Sequence, residues 1–418
     1  MIGVIKAKTI LLLLFSICAG LLYANASVIE VGPGHIFTSI KNAVVASKDG
    51  DTIFVHKNIY HEGNIVINKS IFLEGIGKPV LNGDKKFEII SVKADNVVIK
   101  GFILTHTGNS SLNDIAAIKL YNCHNALICN NEIDDAFFGI YAEHSTSSII
   151  RDNKLTTYGD ADHSSGNGVH CWKSDSMQVI HNNIHGFRDG IYLEFVNNSV
   201  IWRNTSENSI RYGLHFMFSH NNGYISNIFR RNGAGVAVMY THGVKMFNNT
   251  FEENGGDASY GLLLKEISDS YISGNHFINN TIGIFMEGGT RIVMARNLFK
   301  NNGWALKMQA SCSDVIVDQN NYIANTFDVS TNGSLVLNSF SNNYWDKYEG
   351  YDLNKDNIGD VPYRPVSLYA MLVEQNPTLM MLYRSFITTL MDKTEKVLPS
   401  LIPEDLKDNA PLMKPLAL

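Results

Sequence analysis

Two residue registers recur together along the middle of this chain. One is an Asn two places before an apolar residue: Asn131, Asn153, Asn182, Asn204, Asn227, Asn249, Asn275, Asn297, Asn320 and Asn343. The other is a small residue, mostly Gly: Ala117, Gly139, Gly168, Gly190, Gly213, Gly235, Gly261, Gly283 and Ala305. Both step by about 22 residues, and both lengthen at the same two places, which puts inserted loops at 156–166 and 254–259. A unit of that length, repeated, marks a solenoid.

The residues between the markers decide which solenoid. They are Ile, Val, Phe, Tyr, Asn, Ser and Gly in short alternating runs, as in Ser148 to Asn153 and Gly190 to Glu194. That is strand and turn chemistry, with no sustained helical period. The Leu-x-x-Leu-x-Leu frame of a leucine-rich repeat is absent. The expected fold is therefore all-β: a right-handed parallel β-helix with one coil per repeat. Inward aliphatic and aromatic side chains stack between coils, and the Asn register forms a corner ladder of amide hydrogen bonds. Ten to twelve coils at strand spacing give a rod roughly 50 Å long.

Residues 1–26 stand outside this pattern. Lys6 and Lys8 precede the apolar run Ile10 to Leu22, and Ala24-Asn25-Ala26 offers a small-x-small cleavage site. This reads as a secretory signal peptide cut after Ala26, leaving an exported chain with no other membrane-spanning segment. The solenoid then occupies 27–345, with 27–50 as its N-terminal cap, and 346–418 is a C-terminal loop and helical tail. In the cap, Ile40, Ala43, Val44 and Ser47 fall at helical spacing behind Thr38 or Ser39 as N-cap, a short helix that plugs the first coil.

The formal charge of −6 argues against a nucleic-acid partner. Cys123, Cys129, Cys171 and Cys312 are spread over too many coils to pair easily, so free or buried thiols are expected. In the tail, Asp352, Asn354 and Asp356 alternate oxygen side chains in the manner of a calcium loop, but without the closing Glu of an EF-hand. The plainer reading of these residues is an Asn/Asp turn. Beyond Pro365 two helices are expected, about 367–375 and 377–397. The second places Met380, Tyr383, Ile387, Leu390 and Met391 on one apolar face that covers the open last coil.

Strand alternation sorts the residues after each marker. Ile140, Val169, Ile191, Leu214, Val236, Leu262 and Ile284 point inward, as do Ala142, Cys171, Leu193, Phe216, Val238, Leu264 and Met286. The columns between point outward: Tyr141, His170, Tyr192, His215, Ala237, Leu263, Phe285, and beside them Glu143, Trp172, Glu194, Met217, Met239, Lys265, Glu287. An exposed sheet face normally carries Thr, Ser, Lys and Glu. A stripe of aromatic, His and Met side chains reads instead as a binding face. His170, His215, Met217 and Met239, with Glu194 between, offer imidazole, thioether and carboxylate donors, and thioether with imidazole favours copper. His220 and His242 add imidazoles at the next turn. The bland reading is packing beneath the inserted loops. A polysaccharide-cleaving site would need paired carboxylates; Glu143 with Glu194, or Asp160 with Asp162, are the candidates.

The run Asn342-Asn343-Tyr344-Trp345, then Gly350-Tyr351-Asp352, Ile358 through Val361-Pro362-Tyr363-Arg364-Pro365, and Leu382-Tyr383-Arg384-Ser385 resembles the NosD family of nitrous oxide reductase maturation proteins. Gly50 to Val55, Tyr60-His61-Glu62, Ile71 to Gly75 and the closing Ala410 to Pro415 suit that family too. The resemblance implies a periplasmic, non-catalytic accessory component of an ABC transporter with permease and ATPase subunits. It further implies work on the copper centres of nitrous oxide reductase, with a copper chaperone as partner and membrane contact through the permease. The chain itself has no phosphate-binding Gly-rich loop. The family supplies no copper-ligand motif to transfer, so the His/Met column rests on the repeat alone. The alternative is a periplasmic β-helix lyase, epimerase or glycosidase.

Overall fold

The computed structural model describes residues 26–110, 113–158, 165–255, 259–397 and 406–418. The export-signal reading, Asp160 and Asp162 lie outside the described residues, apart from Ala26. Within them the chain winds as a parallel β-solenoid. One sheet has 13 strands, one from each coil, running from Ile59–Tyr60 to Tyr344–Trp345. A 25-stranded sheet carries the other two strands of the coils. The expected ten to twelve coils fall short because the first coils precede the Asn register.

The marker glycines have a steric reason. A Cβ on Gly213 would sit 2.7 Å from the Gly235 carbonyl oxygen on the next coil, so the backbones approach too closely for a side chain. Both expected inward columns are fully buried, from Ile140 and Ala142 through Ile284 and Met286. A further inward column becomes aromatic toward the C-terminal end. There Phe251, Phe277, Phe299, Tyr322 and Trp345 stack coil on coil at 4.0–4.9 Å.

The Asn ladder is continuous. From Asn131 to Asn320 each side-chain amide donates to the next Asn Oδ1 at 2.9–3.1 Å. Each also donates to a core carbonyl of the preceding coil, as Asn227 does to Ile201 at 2.9 Å. A second ladder lies five residues downstream of the first: Asn232, Asn254, Asn280, Asn302 and Asn325. The four described cysteines are buried free thiols, and burial raises the Cys171 thiol to about 12.

At the N-terminal end, helix α1 (Ile40–Ala46) buries Ile40, Ala43 and Val44, and Ser39 is its N-cap. The Glu62 carboxylate accepts from Ser39 Oγ and from the Ile40 and Lys41 amides, adding negative charge where the helix dipole is positive.

The C-terminal end differs from expectation. Helix α2 (Leu368–Gln375) is followed by a 3₁₀ turn (Pro377–Leu382) and helix α3 (Phe386–Val397). The single helix expected over 377–397 is interrupted at Arg384, whose φ is +60°. Nor do the helices cover the open end of the last coil. Tyr369, Ala370 and Val373 of α2 pack sideways on Trp304 and Phe327, with Met391 of α3 alongside. The end is closed by residues 406–412 instead. Asp408 is fully buried, and its Oδ2 accepts from the Asn343 amide, the Asn343 side chain and the Trp345 indole, each at 3.0 Å.

Candidate metal-binding face

The outward face is built by six parallel strands: Ala116–Tyr121, Phe138–Glu143, Asn167–Trp172, Asp189–Glu194, Tyr212–Met217 and Ala234–His242. Their register sets His170 opposite Tyr192, and Tyr192 opposite His215. The two imidazoles are thus held apart by a phenol ring, each centroid 4.8 Å from that of Tyr192. They do not converge on one ion. The register does bring together Met217 and Met239, with Glu194 next to Met217 on the other side. His215 is two residues before Met217 on the same strand face, and the Tyr192 hydroxyl reaches the Met217 sulfur at 3.9 Å.

This column is more buried than an open sheet face. His170 and His215 are 8% and 7% exposed. Tyr141 stacks flat on His170 at 4.3 Å and 2°, and Phe138 leans on the same ring. Burial is the main force holding the His170 pKa down to about 3, with the nearby positive charges of Arg188 and Lys119 adding to it. The ring is neutral at any physiological pH and keeps a lone pair. Yet His170 Nε2, both nitrogens of His215 and Arg188 Nε have no hydrogen-bond partner among the described residues. His215 Nδ1 lies 3.7 Å from Asp189 Oδ2, beyond hydrogen-bond reach. Buried polar atoms are normally satisfied, so these nitrogens set the patch apart among the described residues.

Asn167, Arg188, Asp189 and Tyr212 belong to this patch and lie outside the two outward columns of the repeat. Asn167 Oδ1 accepts from Arg188 at 3.2 Å, and Asp189 accepts the Tyr212 amide at 3.3 Å. The signal was polarity in the column just before the marker Gly, where other coils have Ala116, Phe138, Ala234 and Ile282. The pairing register omits the marker residue itself, as in Ala116 opposite Phe138 followed by Ile118 opposite Ile140. The preceding residue then joins the outer face.

At the adjoining corner Phe195, Phe218 and Tyr240 take left-handed φ of 54°, 49° and 54° and stack at 5.3 and 5.2 Å. His220 and His242 stack at 4.0 Å just beyond. The candidate carboxylate pair is not formed: Trp172 separates Glu143 from Glu194, and Glu143 is 3.3 Å from Lys119 Nζ. In the tail loop, Asp352 accepts the backbone amides of Lys355, Asp356 and Asn357, and Asp356 accepts that of Ile358. Asn354 Oδ1 likewise takes the Asp356 amide. These oxygens serve an Asx-type turn.

Fold and face together define a parallel β-solenoid with a buried, donor-rich patch on one outer sheet. The chain is NosD-like. Residues 156–355 match the family model described as "Periplasmic copper-binding protein (NosD)". The "Probable ABC transporter binding protein NosD" of Stutzerimonas stutzeri is 25% identical over 85% of both chains. Its namesake in Pseudomonas aeruginosa is 26% identical over 85% of this chain and 86% of that one. Among solved structures, the catalytic unit of a Streptomyces thermodiastaticus GH87 α-1,3-glucanase superposes with a TM-score of 0.57 at 11% identity, covering 75% of this chain and 65% of that one. The A-module of the Azotobacter vinelandii mannuronan C-5 epimerase AlgE6 gives 0.52 at 12%, covering 72% and 92%. At such identities the likeness is one of fold.

Proposed function

We propose that this chain is a periplasmic, non-catalytic copper-binding component of an ABC transporter system that matures the copper centres of nitrous oxide reductase. Copper is cargo here, received from a copper chaperone and held in passing. In this reading residues 1–26 are the cleaved export signal, 27–345 the binding solenoid and 346–418 the tail. The observation that carries it is the cluster His215, Met217 and Met239, with unpartnered imidazole nitrogens beside two adjacent thioethers. Soft donors of this kind suit Cu(I). His170 and Glu194 flank the cluster on separate coils and are donors for entry or exit. Asp352, Asn354 and Asp356 would hold Ca²⁺ through the lone pairs that their turn amides leave unused.

No described helix is long and apolar enough to cross a membrane. In this reading, membrane contact runs through the permease that accompanies the ATPase. The exposed Met381, Phe386, Ile387 and Leu390 of the tail supply an apolar surface for it.

The test is a Cu(I) titration of the purified chain against a competing chelator. Submicromolar binding is expected, weakened at least tenfold by His215→Ala and by Met217→Ala, with unchanged folding by circular dichroism. Absence of Cu(I) binding, together with turnover of uronate polymers, would replace this reading with the polysaccharide-enzyme one.

A further inference from the structure

The first coil holds a second donor cluster, far along the chain from the His/Met patch. Glu30 lies on strand Val28–Val31 and pairs with Phe54, so Glu30 shares a face with Phe54 and with His56 at the end of the next strand. His56 Nε2 is 2.5 Å from Glu30 Oε2. His35 comes from the turn after the first strand, and its ring lies 4.3 Å from that of His56 at 8°. One ligand atom from each of the three falls within 4.8 Å of the others.

The local backbone is arranged around this approach. The turn is closed by Gly32 N to Phe37 O at 2.9 Å and His35 N to Gly32 O at 3.1 Å. Gly32 and Gly34 have φ of +151° and +86°, which admit no ordinary side chain. A Cβ on Gly32 would also lie 3.0 Å from His56 Cβ and 3.6 Å from His35 Cδ2, inside the cradle where the two imidazoles meet. The Tyr60 hydroxyl donates to the His56 carbonyl oxygen at 2.8 Å and fixes that strand end.

A His–Glu ion pair accounts for Glu30 and His56 without involving His35, whose ring nevertheless lies against that of His56. A divalent ion accounts for all three. Equatorial ligands at about 2.0 Å from a tetragonal ion sit roughly 2.8 Å apart when cis and about 4 Å apart when trans. The cluster reaches such spacings if Glu30 and His56 open from their 2.5 Å contact and His35, exposed on its glycine-flanked turn, rotates inward. The side chains of His56 and Glu30 are 35% and 40% exposed, so an ion reaches them from solution.

We propose that Glu30, His35 and His56 bind a divalent first-row transition ion, Cu(II) in preference to Zn(II), at a site separate from the Cu(I) cluster. Two imidazoles and a carboxylate are borderline-to-hard donors, and the Irving–Williams order places Cu(II) above Zn(II) on such a set. This inference stands whether or not the His/Met patch binds Cu(I).

Cu(II) added to the full chain, read by electron paramagnetic resonance and by chelator competition, tests it. One equivalent should give a tetragonal signal with nitrogen coupling. Glu30→Gln and His35→Ala should each weaken binding at least tenfold and alter the signal, whereas Met217→Ala with Met239→Ala should leave both unchanged. His35 sits on a surface turn, so its variant should fold like the parent by circular dichroism. Unchanged Cu(II) affinity and spectrum in both Glu30→Gln and His35→Ala would overturn the proposal, as would a signal lost only in the methionine variants.

Discussion

The solenoid carries two stacks of polar side chains, and they behave in opposite ways. In the inner corner, the Asn ladder leaves no amide without a partner from Asn131 to Asn343. On the outer face, His170 and His215 occupy equivalent positions coil by coil and are nearly as buried, yet have nitrogens without a partner among the described residues. The repeat geometry is the same in both. A stack that closes its own hydrogen bonds holds the fold together; one that leaves them open is available to something else.

Breaking the closed stack should have the largest effect. Asn227 Oδ1 accepts the backbone and side-chain amides of Asn204, and its Nδ2 donates to Ile201 and Asn249. Asn227→Ala strands several of these groups inside the rod. A loss of about 3 kcal/mol or more is expected in urea unfolding. A loss under about 1 kcal/mol would mean the ladder is not what distinguishes the two stacks.

The open stack should show itself through pH. Folded His170 titrates at about 3, whereas an unfolded His titrates near 6.5. Between those values only the unfolded chain binds the proton, so this residue makes stability fall as pH drops from about 6.5 toward 3. Between pH 7 and 5 its contribution is about 1–2 kcal/mol. His170→Phe, whose ring fits between Tyr141 and Tyr192, should flatten that part of the pH profile. An unaltered profile would contradict a neutral buried His170.

The smallest effect is expected at the aromatic corner. Left-handed backbone costs a bulky residue about 1–2 kcal/mol, and an aromatic stack returns about 0.5–1.5 kcal/mol. Phe195→Gly, at the end of the row with one stacking partner, should therefore change the unfolding free energy by less than about 1 kcal/mol. A larger loss would show that Phe195, Phe218 and Tyr240 act as a third structural stack.

Much of this architecture was legible because a coil repeats its own solution. Once the Asn and Gly registers were aligned, alternation alone sorted Ile140 from Tyr141 and Cys171 from His170. The Ser39 cap likewise announced α1. What escaped depends on contacts that no period encodes. Asn167 and Asp189 reach the outer face because the pairing skips the marker residue. Tyr192 parts the two imidazoles that the column seemed to join. The second Asn ladder lies in plain register five residues after the first, but at bends, where Asn is common for its own local reasons. Arg384 interrupts the tail helix through a backbone angle that its residue type does not announce.

Asp408 lies 65 residues beyond Asn343, yet stands where the next ladder Asn would be. Asparagine both gives and takes a hydrogen bond, so each one templates its successor, and a row of them has no intrinsic length. A carboxylate only takes. By placing it at the end of the row, the chain ends the amide series the way a monomer lacking its second reactive group ends a growing polymer. The final coil then offers no amide donor from this row to the end of another rod, and the number of coils is written into a single change from nitrogen to oxygen.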